Sequence, residues 1–205
     1  WLLENFLKSS DRAVYIAYSI LIAVWLMPFA DHEALLSLDW ISKIFVRNFL
    51  AVLIVVGGLH YWFYGIDGQG NILRFDERPI TGKKNILFKF GYQTWDNMFY
   101  TLVYGVPLAS FWEVFIRLAY AKGWTYSLGF FENPILFVLL FPIISVLQGI
   151  HFYFIHRLLH WPPLYKRFHS VHHRNVNMGP WSGMSMHPIE HILYFSGILI
   201  HWIIP

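Results

Sequence analysis

Five long apolar runs constrain this chain more than any other feature of its 205 residues. The run 13–30, "AVYIAYSILIAVWLMPFA", carries no charge and as a helix spans about 27 Å at ~1.5 Å per residue. A second run covers 44–65. A third, 98–121, carries Pro107, Glu113 and Arg117, so it reads either as one span or as a re-entrant pair broken at Pro107. A fourth covers 134–155, with a kink expected at Pro142. The fifth starts near Pro188 and runs to the end of the sequence. These runs predict a membrane-embedded helical bundle with about four to five spans.

Composition agrees. Charged residues make up 13% of the chain, against about 25% in soluble domains. Cysteine is absent, which excludes disulfides, thiolate zinc sites, iron–sulfur clusters and cysteine nucleophiles. Any metal must be held by nitrogen and oxygen. The net charge of +3 is small and its basic residues are scattered, a pattern that suits membrane flanks and not nucleic acid.

The connections predict an orientation. The stretch 31–43 has three acids and one Lys, whereas 66–97 has five Lys/Arg. The positive-inside rule puts the second stretch in the cytoplasm. Four crossings then return the chain to the cytoplasm after residue 155, where Arg157, Lys166, Arg167 and Arg174 follow. No solenoid repeat or low-complexity tract is present. The glycines of "GIDGQGN" (65–71) lack the strand, helix and Lys-Ser/Thr of a phosphate cradle and read as a loop. The chain begins with Trp1 and ends inside an apolar run, so an incomplete C-terminus is expected. No signal-peptide pattern opens it.

Nine of the eleven histidines lie at or after position 151. His156 and His160 are four apart and share one helix face. Trp161-Pro162-Pro163 then stops that helix. A second helix is expected from near Leu164, with His169, His172 and His173 within an arc of about 100°. Two helices and a tight turn thus aim five imidazoles into one space. Neutral imidazole is a common metal ligand. One ion takes four to six ligands, so five from one stretch suggest two metals. The bland alternative is an interfacial amphipathic segment whose histidines face headgroups.

"SMHPIEHILYF" follows. Pro188 suits the first helical position and His187 the N-cap. Glu190 then stands where a capping-box carboxylate reaches back to the N-cap amide. His187 and His191 are again four apart and are further ligand candidates. His151, five before His156, reads as a packed group or a support to the ligands. His60 reads as interfacial, and the sequence leaves His201 undecided. Glu113 and Arg117, at i and i+4 in an apolar run, read as a structural ion pair. Substrate contact is the sharper alternative.

"HRLLH", then "HSVHH", then "HP.E", on a chain with several apolar spans, resembles the fatty acid hydroxylase/sterol desaturase superfamily, and its sterol-desaturase branch most. The motif-bearing likeness covers roughly 148–195, with "WDNMFYTLVYGVPLASFWEVFIRLAYAKGW" a weaker one. The resemblance implies an all-α integral membrane enzyme with a non-haem di-iron centre held by histidines. Such enzymes use O2 and external electrons, often from cytochrome b5 or a related carrier, to hydroxylate or desaturate sterols, fatty-acyl groups or other lipids. The first family box maps to His156 and His160, the second to His169, His172 and His173. His187, His191, His151 and Glu190 are possible ligands or supports. The family's third box, a further His-x2-His-His, would lie beyond Pro205.

The resulting expectation is one membrane domain over 1–205, with spans and loops in 13–147 and a histidine-box catalytic region in 148–205. The site faces the cytoplasm, from the endoplasmic reticulum of a eukaryote or the inner membrane of a bacterium. The rivals are a membrane metal transporter, a bis-histidine haem protein, and a non-catalytic relative that binds metal for structure. Transport is disfavoured because the clusters sit in an Arg/Lys-bearing stretch at a span boundary, not mid-membrane.

Overall fold

The computed structural model describes residues 36–70, 84–126, 128 and 131–204. The apolar run 13–30 and His32 lie outside the described residues. All regular structure among the described residues is helical. The chain divides into two compact units, Trp1–Arg47 and Asn48–Pro205. In the first, Lys43 pairs with Asp39 one turn earlier at 2.6 Å.

Three helical rods are long and apolar enough to cross a membrane. The first is α1, Leu38–His60, continued by a π-helical turn, Tyr61–Gly65. The second joins α2 (Gln93–Phe99), a π turn (Tyr100–Gly105) and α3 (Val106–Ala121). The third is α4, Pro134–Leu159, opened by Asn133, whose side chain accepts from the Leu136 amide at 3.0 Å. That cap satisfies a backbone donor that a helix start otherwise leaves orphaned. Outward apolar residues on α1 and α4, such as Ile54 at 68% and Val146 at 62% exposed, suit a lipid-facing surface.

The run around Pro107 is one continuous rod. Proline in a helix removes a hydrogen bond and crowds the carbonyl four residues back. The widened π turn ends at Gly105, so Pro107 falls at the opening of α3, where its missing amide costs little. Helix α4 likewise runs on through Pro142. The fifth apolar run forms α7, Pro188–Phe195, followed by a 3-10 stretch, Ser196–Trp202.

Between α4 and α7 lie the short helix α5 (Pro162–Leu164), a π turn (Tyr165–His169) and α6 (Ser170–His173). A 3-10 turn, Pro180–Ser182, follows. Thr101 donates to the Trp181 carbonyl at 3.2 Å. Asp96, fully buried, binds the guanidinium of Arg174, and its other oxygen accepts from the Lys89 amide at 2.7 Å. The second rod thereby anchors the residue immediately after His173.

Candidate metal centre

Helix α4 carries His156 on its last turn and ends with His160 as C-cap. Trp161 turns extended, and Pro162 starts the next helix two residues before the expected Leu164. The break is as tight as the Trp-Pro-Pro sequence requires. It folds the π turn and α6 back against the end of α4.

Four imidazoles meet across this turn. The ligand atoms of His156, His160, His169 and His173 all lie within 4.8 Å of one another. His156 Nε2 and His160 Nε2 are 3.1 Å apart, and His169 Nε2 and His173 Nε2 are 2.9 Å apart. The ring centroids of His156 and His169 are 4.8 Å apart across the turn. Imidazole nitrogens sit about 2.1 Å from a zinc-sized ion, so they stand about 3.4 Å apart at a tetrahedral angle and about 4.2 Å apart when opposite. The four nitrogens fit one first-row ion with small side-chain shifts. Nitrogen-only ligation from helical pairs suits such a metal.

His169 is fully buried, and Glu190 supports it from α7, with Nδ1 and Oε1 2.7 Å apart. Glu190 is itself buried. A carboxylate on Nδ1 fixes which nitrogen of His169 carries the proton and leaves Nε2 to a cation. Burial pushes Glu190 up to about 8. Burial, reinforced by His173, His156 and His160, pushes His169 down to about 3. Without a cation both groups therefore favour their neutral forms. The capping-box role expected for Glu190 is not the one found. His187 is the N-cap, its Nδ1 accepting from the Ile189 amide at 3.2 Å, while the carboxylate turns to His169.

His172 stands apart from the four. Its ring is 6.0 Å from that of His169, and among the described residues its buried Nδ1 makes no hydrogen bond of ordinary geometry. His191 is fully buried, and among the described residues neither ring nitrogen makes a hydrogen bond of ordinary geometry. Burial pushes His191 down to about 4, against an opposing pull from the Met184 backbone, and His172 and His187 lower it further. His172, His187 and His191 are therefore electrostatic neighbours. Gly105 makes room for this group, since a Cβ there would lie 3.0 Å from His191 Cε1.

His151 lies one turn and a half before His156, with its Nε2 3.0 Å from Ser196 Oγ. His60 ends the α-helical part of α1 against Tyr64. His201 pairs with Tyr120 Oη at 3.1 Å. Sequence reasoning missed Asp96, the anchor of Arg174, and Tyr165, whose ring lies 5.6 Å from that of His173 and 5.7 Å from that of His160. The aspartate lies 78 residues from its arginine, beyond the reach of local spacing. Tyr165 left a signal, standing one turn before His169.

An apolar helical chain with imidazoles gathered at the end of a span defines a membrane protein with a candidate nitrogen-ligated metal centre. Residues 141–205 match the family model described as fatty acid hydroxylase. The chain is 35% identical over 57 residues to the Delta(7)-sterol 5(6)-desaturase erg3B of Aspergillus fumigatus, covering 28% of this chain and 17% of that protein. It is 30% identical over 120 residues to methylsterol monooxygenase 1 of Gallus gallus, covering 53% of this chain and 38% of that protein. Fatty acid hydroxylase domain-containing protein 2 of Macaca fascicularis is 37% identical over 57 residues, covering 28% of this chain and 17% of that protein. The matched regions are thus well under two thirds of these relatives. No solved structure matches. The likeness to the fatty acid hydroxylase/sterol desaturase superfamily lies in the histidine-bearing region.

Proposed function

We propose that the protein catalyses O2-dependent hydroxylation or desaturation of a sterol, fatty-acyl or other lipid C–H bond at a non-haem di-iron centre. The observation that carries this reading is the convergence of His156, His160, His169 and His173 within 4.8 Å, inside the region that matches the family model. These four would hold one ion. His172, with His187 and His191 as its electrostatic neighbours, would supply ligands to the second. The relatives' printed names, a desaturase and a monooxygenase, support oxidative chemistry on a lipid. When bound, iron supplies the redox capacity for attack on an unactivated C–H bond, which zinc lacks.

This chain's residues perform the remaining tasks. Glu190 holds the proton of His169 at Nδ1, so that Nε2 presents its lone pair. Asp96 and Arg174 clamp the end of α6. Tyr165 walls one side of the imidazole group. His151 supports α7 from α4 through Ser196. Residues 148–205 form the catalytic region of one membrane domain. The basic residues after Leu159 favour a cytoplasmic site, in the endoplasmic reticulum or a bacterial inner membrane, with electrons from cytochrome b5 or a related carrier. His172→Ala in the full-length protein is expected to abolish lipid oxidation while His32→Ala leaves it intact. Equal activity in the two variants would sink the assignment.

A further inference from the structure

The stretch 84–95, "KNILFKFGYQTW", leads into the second rod and carries two lysines and no acid. Its first part is a closed turn. The Asn85 amide donates to the Gly91 carbonyl at 2.8 Å, and the Gly91 amide to the Phe88 carbonyl at 2.9 Å. The Asn85 side chain accepts from the Leu87 amide at 3.0 Å. Gly91 closes the turn at φ +76°, a left-handed conformation that glycine adopts without strain.

The turn is also tied down. Phe88 is buried, with the Arg174 guanidinium 5.5 Å from its ring centre. Arg174 donates to the Leu87 carbonyl at 3.1 Å, and the Lys89 amide donates to Asp96 at 2.7 Å. A turn fixed at so many points holds its other side chains where they stand. Ile86 is 100% exposed, and Leu87, Phe90 and Trp95 are exposed with it. Gln93 donates to the Asn177 carbonyl, and on either side of Asn177 the side chains of Val176 and Met178 are exposed too. A rigid apolar face of this kind marks an interaction surface.

Position and charge say what covers it. Trp95 lies in the first turn of a membrane-crossing rod, so the face stands where acyl chains give way to headgroups. The first rod ends in exposed Tyr61, Trp62 and Tyr64, the residue types of an interfacial belt. Lys84 and Lys89 bracket Ile86 and Leu87 and are both exposed. The next acid in the chain, Asp96, is fully buried and paired with Arg174. Lysine stems lie along apolar surface while their ammonium groups reach outward. Lys89 Nζ already stands 4.4 Å from the centre of the Phe99 ring. Apolar side chains flanked by lysines match a boundary that is apolar beneath and negative above.

We propose that the turn 85–91, with Trp95, docks into the headgroup–acyl boundary of an anionic membrane, the same membrane that the rods cross. Ile86, Leu87 and Phe90 enter the apolar side, and Lys84 and Lys89 pair with lipid phosphate and carboxylate. Arg174 ties the turn to the residue after His173, so the depth of the turn also sets that of the histidine centre. The inference rests on the membrane-crossing rods and not on the oxidation reading.

The test places one nitroxide at a time in the full-length protein. Cysteine is absent from these 205 residues, and any cysteine elsewhere is replaced by serine. The protein is reconstituted in vesicles of phosphatidylcholine with phosphatidylserine. Relaxation of the label by O2, which concentrates among acyl chains, is compared with relaxation by a nickel chelate, which stays in water. A label at Ile86→Cys should favour O2 several-fold more than one at exposed Asp67→Cys, and should approach one at exposed Val146→Cys on α4. Adding Lys84→Glu and Lys89→Glu, or omitting phosphatidylserine, should shift the Ile86 label several-fold toward nickel. Far-UV circular dichroism of the lysine variant, expected to be unchanged, reports folding. An Ile86 label as open to nickel as the Asp67 label overturns the proposal and favours a water-soluble partner for this face. A label shielded from both relaxants, as a second copy of the chain would shield it, also overturns it. So does an O2 preference indifferent to both phosphatidylserine and the lysines. Val146 in lipid with Ile86 in water removes this inference alone; both in water removes the membrane-crossing reading as well. None of these outcomes depends on metal uptake, so the oxidation reading stands or falls separately.

Discussion

Removing the carboxylate of Glu190 should weaken metal binding without touching a ligand. Glu190 and His169 are buried at 3% and 0% exposure, and Oε1 lies 2.7 Å from Nδ1. Once His169 gives Nε2 to a cation, its Nδ1–H has this one acceptor among the described residues. A hydrogen bond involving a charged group contributes about 1.5–3 kcal/mol, and RT is about 0.6 kcal/mol, so its loss weakens binding about 10- to 150-fold. That range agrees with the roughly 10- to 100-fold effects seen when supports of metal-bound histidines are removed. Glu190→Ala should show the full loss. Glu190→Gln keeps an acceptor oxygen without the charge and should lose only several-fold. Exposed Ile192→Ala, on the same helix, is the control. The assay is competition for iron(II) or cobalt(II) between full-length protein and a chromophoric chelator. Affinities within twofold of wild type for both Glu190 variants would refute the role given to this carboxylate.

Three other outcomes follow from the structure. Acid should destabilise the metal-free protein: burial holds His169 near 3 and His191 near 4, below the usual 6.5, so the unfolded chain takes up their protons first as pH falls. Glu190, raised to about 8 from 4.5, acts oppositely, contributing fully below pH 4.5 and losing that contribution as pH rises through 8. Two imidazoles outweigh one carboxyl between pH 6.5 and 4.5, so the thermal midpoint of stripped full-length protein should be lower at pH 5.0 than at 6.5; a higher one contradicts the burial argument. Asp96→Ala strands the Arg174 guanidinium, at 16% side-chain exposure, and should cost about 3 kcal/mol in chemical denaturation, against a negligible change if the pair is merely ornamental. Gly105→Ala puts a methyl 3.0 Å from His191 Cε1 and 3.1 Å from Met184 Cε; a loss of about 1 kcal/mol is expected, and Gly105→Val should lose more, whereas unchanged stability in both would show that the pocket has slack.

The histidine centre was legible because its two halves are local. His156 and His160, and likewise His169 and His173, are four apart on helical backbone, and Trp161-Pro162-Pro163 fixes the reversal between them. Helical spacing left His172 and His173 as equal partners of His169; the two point about 100° apart on α6, and it is His173 whose Nε2 meets that of His169 at 2.9 Å. Glu190 was read through its nearest neighbours as a capping residue, yet its partner lies 21 positions earlier. Only tertiary packing decides between two such acceptor tasks. In the sequence the run around Pro107 counted as one span, with a re-entrant pair as the alternative. A π turn, which no residue pattern announced, settled it as a continuous rod. Glu113 and Arg117 formed the expected pair.

The most direct test of the central claim is the metal content of the full-length protein purified from its native membrane. Elemental analysis with Mössbauer and absorption spectra should give two non-haem irons per chain and no Soret band. Paired His156→Ala and His169→Ala substitutions should remove at least one iron. A stoichiometric haem, or iron unchanged by those substitutions, would contradict the account.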